Sequence, residues 1–548
     1  MHLRNLYLEK PQLMLFMGGL LYYLTFFNYG IVLDDEGFFL MGASSIAEGS
    51  WPVADFFSYP PFSYFLLAGF NQIFGEGVLT ERILLVSILL LNAQLLLYIS
   101  RSALPALWAP LPVILYILAP GPWYKVIFIA SIIWVLASLL YYLKQPNSKR
   151  AALIGVLIGI AFISRHQAGI ITLILGFGTL LSQAIGNELD QTARNRREIW
   201  IAFGKQLFSM LSLLLIILGL MALAYIIVGK WDALINNIDL YYWQNNSQAV
   251  FSKLGVVSKF HPLSLFTRPQ SEQWFYALGV AGAFTLFLTH LHKFFLPGTN
   301  RAKNQIRLVI AVTAIGTLTY TYLFVWNSRM LSSFAVIYIV WSIILCDTHK
   351  YFLRNGNTRL SKWLPITGIF IVGLFAIWFC RVHIYSGSIT TRFFPTTELD
   401  NPLLKGIYVY SWQHADITHM MELTAENKDA TLIPMSEATT MSYLSGLKNP
   451  TYYRLFTTEF GAPGEPQTVL QAIEKNCVDY FVAMKKQFLS EGERGSNLRQ
   501  YAPTIRNHLI ANYKITLLGR RYVLLTRTGK CNEEAPDALH HTHGGDGS

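Results

Sequence analysis

Charge is scarce in this chain. Asp, Glu, Lys and Arg make up 14% of its 548 residues, against 53% hydrophobic side chains, and the mean hydropathy is +0.37. Those values exclude a water-soluble protein of ordinary composition and put most of the chain in a bilayer. No phosphate-cradling glycine loop of the Walker type occurs, which argues against ATP-driven transport, and no internal repeat is visible. The net charge of +11 gathers on no single basic face. Lys and Arg fall in short clusters between apolar runs, so membrane topology explains them better than nucleic acid does.

Apolar runs near the 20 residues or so needed to cross a bilayer lie at 12–32, 80–100, 105–120, 125–143, 151–168, 169–186, 207–228, 274–292, 307–326, 330–346 and 363–380. They predict about eleven spans. The first lacks a small-residue cleavage site and leads directly into acidic residues, so it reads as a retained helix rather than a signal peptide. Basic residues occupy every second connection, from Arg4 and Lys10 through Arg101, Lys144, Arg150, Arg194, Lys293, Arg307 and Lys350. By the positive-inside rule those connections are cytoplasmic. The first loop, which has no Lys or Arg from Ile31 to Thr80, is then outside.

An odd number of spans also puts everything after about Arg381 outside. This tail alternates turn clusters, such as Gly461-Ala462-Pro463-Gly464, with short strand-like runs such as Tyr480-Phe481-Val482-Ala483, and it predicts a small α/β domain. The expected organisation is a membrane domain over 1–380, with its first outer loop at 33–79, followed by an extracytoplasmic domain over 381–548. Cys477 and Cys531 lie in the tail, where an oxidising compartment would let them pair. The His-rich end, His540 to Ser548, reads as a polar disordered terminus.

Chemistry is expected first in the loop after the first span, which reads Asp34-Asp35-Glu36-Gly37-Phe38-Phe39. Adjacent carboxylates at the mouth of a membrane helix repel one another and resist desolvation. The same acids would also suit capping of the helix that follows. Asp55, Tyr59 and Tyr64 lie further along the loop. Asp55 fits the site and a solvated loop equally, and the two tyrosines suit the membrane interface.

The succession Asp35-Glu36, Gly49-Ser50-Trp51-Pro52, Asp55-Phe56, Pro60-Pro61-Phe62-Ser63-Tyr64, Phe74-Gly75 and Glu81-Arg82 resembles GT-C fold glycosyltransferases, most of all the protein O-mannosyltransferase and lipid A aminoarabinose transferase group. The resemblance covers the first ~170 residues and, beyond them, only the layout. It implies an enzyme that takes a sugar from a polyprenyl-phosphate carrier and transfers it, outside the cytoplasm, to a hydroxyl or amine. The fold it implies is a polytopic α-helical membrane protein of GT-C type with a C-terminal extracytoplasmic α/β domain.

By that resemblance Asp35 is the base that removes the acceptor proton, and Glu36 is a positioning or second acid. Asp34, a third acid, leaves the assignment open by one residue. A departing phosphate needs cations. Arg165 lies ~15 residues, at a rise of about 1.5 Å each, from the start of an apolar run, which carries it most of the way across the membrane. Lys125 and Arg329 stand at other outer ends. All three also fit snorkelling to the interface, and Arg165 is preferred for the phosphate. His166, Gln167, Asp55 and Tyr59 complete the expected substrate-binding set.

Relatives carry an acid in the second outer turn, but Leu118 to Tyr124 contains none. No cofactor is assigned, and a divalent metal stays open. The expected partners are the lipid-linked sugar donor, a lipid, polysaccharide or protein acceptor, and the bilayer of a cell inner membrane, with no nucleic acid. Two alternatives remain at this point: a transporter of lipid-linked sugar or oligosaccharide, and an inactive relative acting as an assembly subunit.

Overall fold

In the computed structural model, the structure describes residues 10–32, 35–119, 126–190, 196–239, 271–322, 334–356, 395–425, 427–435, 438–452, 465–489 and 503–529, with scattered helical residues between 359 and 374. A few residues inside these ranges, Asp35 among them, are described by their main chain only.

The apolar runs form α1 (Pro11–Leu24), α4 (Val78–Ala103), α5 (Pro110–Leu118), α6 (Val126–Lys144), α7 (Ser148–Ser164), α8 (His166–Leu189), α9 (Arg196–Ile227), α11 (Ser271–Phe295), α12 (Arg301–Tyr322) and α13 (Phe334–Arg354). Between them stand α2 (Asp35–Ala47) and α3 (Phe62–Phe74) in the first loop, and α10 (Trp231–Asp239) after α9. Among the described residues, six helices are long and apolar enough to cross a membrane: α4, α6, α8, α9, α11 and α13. The protein is thus a multi-pass, mostly helical membrane protein. The last expected run, 363–380, lies mostly outside the described residues.

Two local features differ from the reading of hydropathy alone. The expected spans 151–168 and 169–186 part at Arg165, a few residues before the boundary between them, where extended backbone (φ −163°, ψ 116°) ends α7 and starts α8. Within α7, Gly155 and Gly159 face α9 so closely that a Cβ on either would overlap Met210 or Ile217. Small residues four apart let two membrane helices pack backbone to backbone. The two expected spans thus form a hairpin with its tip at a cation.

The C-terminal region supplies β1 (Thr396–Glu398), β2 (Tyr408–Tyr410), α14 (Ser411–Ala425), β3 (Leu432–Met435), α15 (Thr439–Ser445), α16 (Glu465–Lys475), β4 (Tyr480–Met484), α17 (Pro503–Asn512), β5 (Tyr513–Leu518) and β6 (Tyr522–Arg527). β1 and β2 form an antiparallel pair, and the other four strands a sheet in the order β3-β4-β6-β5. In that sheet β3 and β4 are parallel and the remaining pairs antiparallel. Strand side chains alternate between faces, and here both faces are apolar. Ile433, Met435, Phe481, Ala483, Val523 and Leu525 share a core with Val469 and Ile473 of α16 and Ile505 and Leu509 of α17. Their neighbours Leu432, Val482, Tyr522 and Leu524 belong instead to the large core that contains the membrane helices.

That continuity defines one end of the bundle, here called the capped end. Tyr408 is the main seam: its N–H donates to the Asn28 carbonyl at 2.8 Å and its own carbonyl accepts from Gly30 N–H at 2.7 Å, while its ring stacks on Tyr29 at 5.1 Å. Gln413 of α14 donates to the Ile31 carbonyl at 2.8 Å. Cys477 is disulfide-bonded, and Cys531, the partner expected for it, lies outside the described residues together with the His-rich terminus. At the opposite end, Arg301 pairs with Asp190, and Arg307 holds Asp347 through two bonds of 2.5 and 3.1 Å.

Candidate active site at the capped end

The acidic segment lies where the first loop turns into α2. Glu36, in its first turn, is 3% exposed. Arg82 Nε donates to Oε1 at 2.8 Å and Arg82 Nη2 to Oε2 at 3.1 Å, while the Val32 N–H donates to Oε2 at 2.8 Å. A two-pronged guanidinium and a main-chain donor fix its direction. Arg82 also donates through Nη1 to the Phe27 carbonyl at 2.9 Å. Three bonds thus hold the Glu36 carboxylate, one on Oε1 and two on Oε2.

The helix that carries these acids is packed through Gly37. A Cβ there would collide with the Thr440 backbone of α15, so only glycine lets the C-terminal region come this close to α2. The Thr440 hydroxyl accepts the Gly37 N–H at 2.8 Å and donates to the Val32 carbonyl at 2.6 Å. Beside it, Tyr443 faces the carboxylates of Glu76, Glu81 and Glu36; burial first and those charges second push its phenol above the usual tyrosine range. The wall opposite α2 is thus a neutral hydroxyl-bearing face of the C-terminal region.

One turn beyond Asp35, the residue that opens α2, Phe39 stacks on Tyr59 (centroids 6.0 Å apart, 21°) and packs against Phe128 of α6 at 5.9 Å. Tyr59 is buried, and its N–H donates to the Tyr64 hydroxyl at 3.2 Å. The Arg165 guanidinium, at the tip of the α7–α8 hairpin, lies 5.2 Å from the Tyr59 centroid and 4.9 Å from that of Phe128. Both distances suit cation–π attraction. The site therefore brings Arg165, Tyr59 and Phe39 of α2 around one aromatic cluster, with His166 and Gln167 in the first turn of α8.

Asp55 is placed elsewhere. Its Oδ1 pairs with Lys230 Nζ at 2.7 Å and its Oδ2 accepts the Trp51 N–H at 2.8 Å. Around it, Tyr225 donates to the Pro52 carbonyl at 2.7 Å, Asn237 to the Val53 carbonyl at 2.9 Å and Tyr452 to the same carbonyl at 2.8 Å. Asp55 thus ties the loop to the residue stretch after α9, and the bonds around it tie the same loop to α10 and to the C-terminal region. Asp34, Lys125 and Arg329 lie outside the described residues. Among the described residues, no group of three or more His, Cys, Asp and Glu side chains is placed to hold a metal ion.

Sequence reasoning did not assign Arg82, Gly37, Thr440 or Lys230. An arginine in the first turn of an apolar helix carried a signal, since so costly a residue needs a partner. Thr440 carried none.

No family model and no curated protein sequence matches the chain. Among solved structures it is similar to the oligosaccharyltransferase AglB from Archaeoglobus fulgidus in complex with an inhibitory peptide and a dolichol-phosphate, at TM-score 0.48 and 13% identity over 88% of this chain and 70% of that one. It is also similar to ArnT from Cupriavidus metallidurans in the apo state, at TM-score 0.48 and 13% identity over 94% of this chain and 97% of that one. A further structure of the Archaeoglobus fulgidus oligosaccharyltransferase, a complex with Zn and sulfate, matches at TM-score 0.45 and 11% identity over 86% of this chain and 68% of that one.

Proposed function

We propose that the chain is a membrane glycosyltransferase that moves a hexosyl or pentosyl unit from a polyprenyl-phosphate donor to an acceptor hydroxyl or amine on a glycolipid, polymer or protein. The observation that carries this reading is an arginine held over aromatic rings that also receive Phe39, one turn along α2 from Asp35. An acceptor needs a base to take its proton, and the leaving phosphate needs a cation. Asp35 takes the proton as the acceptor oxygen or nitrogen attacks the anomeric carbon. The bond from that carbon to the phosphate oxygen breaks, the phosphate keeps the electron pair, and Arg165 meets its charge. Tyr59 and Phe128 offer Arg165 an apolar bed in which the charge is poorly hydrated and strongly felt.

In this reading the capped end is extracytoplasmic and the N-terminus cytoplasmic, in a cell inner membrane. The basic residues at the opposite end of the bundle support that orientation. Residues 1–380 form the catalytic membrane domain and 381–548 its outer covering domain, with Lys125, Arg329, His166 and Gln167 as further donor or substrate contacts. Glu36 orients the loop. No step is routed through a metal, and chelator treatment of purified protein tests that requirement directly.

The test is sugar transfer by purified variants, using radiolabelled polyprenyl-phosphate sugars and membrane extract. Asp35→Asn removes proton acceptance at constant size, and transfer should fall about 100-fold or more, whereas Asp34→Asn should keep substantial activity. A folded Asp35→Asn protein with near-normal transfer sinks the assignment. If Asp34→Asn is the inactive one, the base is Asp34.

A further inference from the structure

We infer that Thr440, from the C-terminal region, is a positioning residue for the carboxylates at the start of α2. The inference rests on the function proposed above. The first N–H groups of a helix have no partner within it and are normally capped by a side chain from the residue just before. Gly37, in the first turn of α2, is instead capped by Thr440, 403 positions away in sequence. The same hydroxyl donates to the Val32 carbonyl, so one oxygen uses its donor and an acceptor site to bridge the two ends of the segment that carries Asp34 and Asp35.

Three further features make this bridge specific. Thr440 is fully buried, so water does not compete for either bond. Val32 also donates its N–H to Glu36 Oε2, which closes the same segment from within, in the manner of a capping box, and Arg82 anchors that carboxylate. The glycine at position 37 sets the approach, because a side chain there would push α15 off α2. A catalytic carboxylate works only when held within a fraction of an ångström of its productive position, and a displacement of 1 Å costs up to about 100-fold in rate. The C-terminal region therefore acts on the reaction itself, through its hold on the acid-bearing segment.

Thr440→Val keeps the branched shape and removes the hydroxyl, while Thr440→Ser keeps the hydroxyl. In the full-length protein, Thr440→Val should lower kcat for transfer by about 10- to 100-fold with the donor KM unchanged, and Thr440→Ser should restore most of it. The acid limb of the pH–rate profile should also shift in Thr440→Val, since the base would sit in altered surroundings. Hydrogen exchange on the wild type gives a second measurement that needs no variant to fold: the Gly37 amide should be protected as strongly as the interior of α2. Rapid exchange at Gly37, wild-type kcat in folded Thr440→Val, or a loss in Thr440→Ser equal to that in Thr440→Val overturns the inference. A wild type that protects Gly37 but transfers no sugar counts against the proposed function instead.

Discussion

Replacing Arg82 by Met should be among the most damaging single changes in the membrane part of this protein. The Arg82 side chain is fully buried and that of Glu36 only 4% exposed, so solvent screening offers no relief. The change removes both N–H···O bonds to the carboxylate and the bond to the Phe27 carbonyl, leaving Glu36 with the Val32 N–H alone. Breaking a buried pair by removing one partner costs about 3–5 kcal/mol, mostly from the uncompensated charge that remains. The double variant Arg82→Met/Glu36→Gln carries no such charge, so it should recover a large part of that loss, with a coupling energy of at least about 1.5 kcal/mol. Reversible denaturant titration in mild detergent measures all four corners of the cycle. If Arg82→Met lies within about 1 kcal/mol of wild type, or if the two changes simply add, the pair does not hold the loop as argued.

The Arg165 reading predicts a weaker donor KM in Arg165→Ala, by roughly the 10- to 100-fold that a lost charge-assisted hydrogen bond carries, with Arg165→Lys intermediate because it keeps charge but not the planar fork; unchanged donor kinetics would make Arg165 an anchor only. The Asp55–Lys230 pair is 25% and 38% exposed on its two side chains, so Asp55→Asn should cost no more than about 1 kcal/mol. A transfer defect beyond about 100-fold in that folded variant would move Asp55 into the reaction, as kinetics on the same preparations would show. Gly37→Ala should lower both stability and transfer by displacing α15, and a thermally unaltered, active Gly37→Ala protein would refute the close packing. His508 sits below the usual histidine range because of burial, partly offset by Glu474. Its contribution to stability is complete above about pH 6.5 and is lost as pH falls through the lower folded value; His508→Gln should flatten that part of the unfolding profile, and an unchanged slope would refute it.

Long apolar runs had only one inexpensive solution in a bilayer, so the order and approximate ends of the membrane helices were legible from composition and spacing alone. The same holds for the strands of the C-terminal region, where short strand-like runs between turn clusters predicted an α/β domain and the sheet uses both of its faces. The acids of the first loop and Arg165 also stood out, because charge near hydrocarbon is costly and draws notice wherever it occurs. Sequence could not say which acid met which base. Glu36 found Arg82, 46 residues on, and Asp55 found Lys230, 175 residues on; any pairing among these four would have satisfied composition. The break at Arg165 shifted two expected spans by a few residues, since hydropathy averages over a window and does not register a single extended residue. The contribution of α15 was invisible for a stronger reason. A threonine in a polar segment carries no mark of its partner, and a glycine after three acids reads as a loop residue until another helix is packed against it. Intrinsic preference and solvation act on each residue where it stands and so can be read along the chain, whereas hydrogen-bond partnership and close approach belong to pairs that only the folded arrangement brings together.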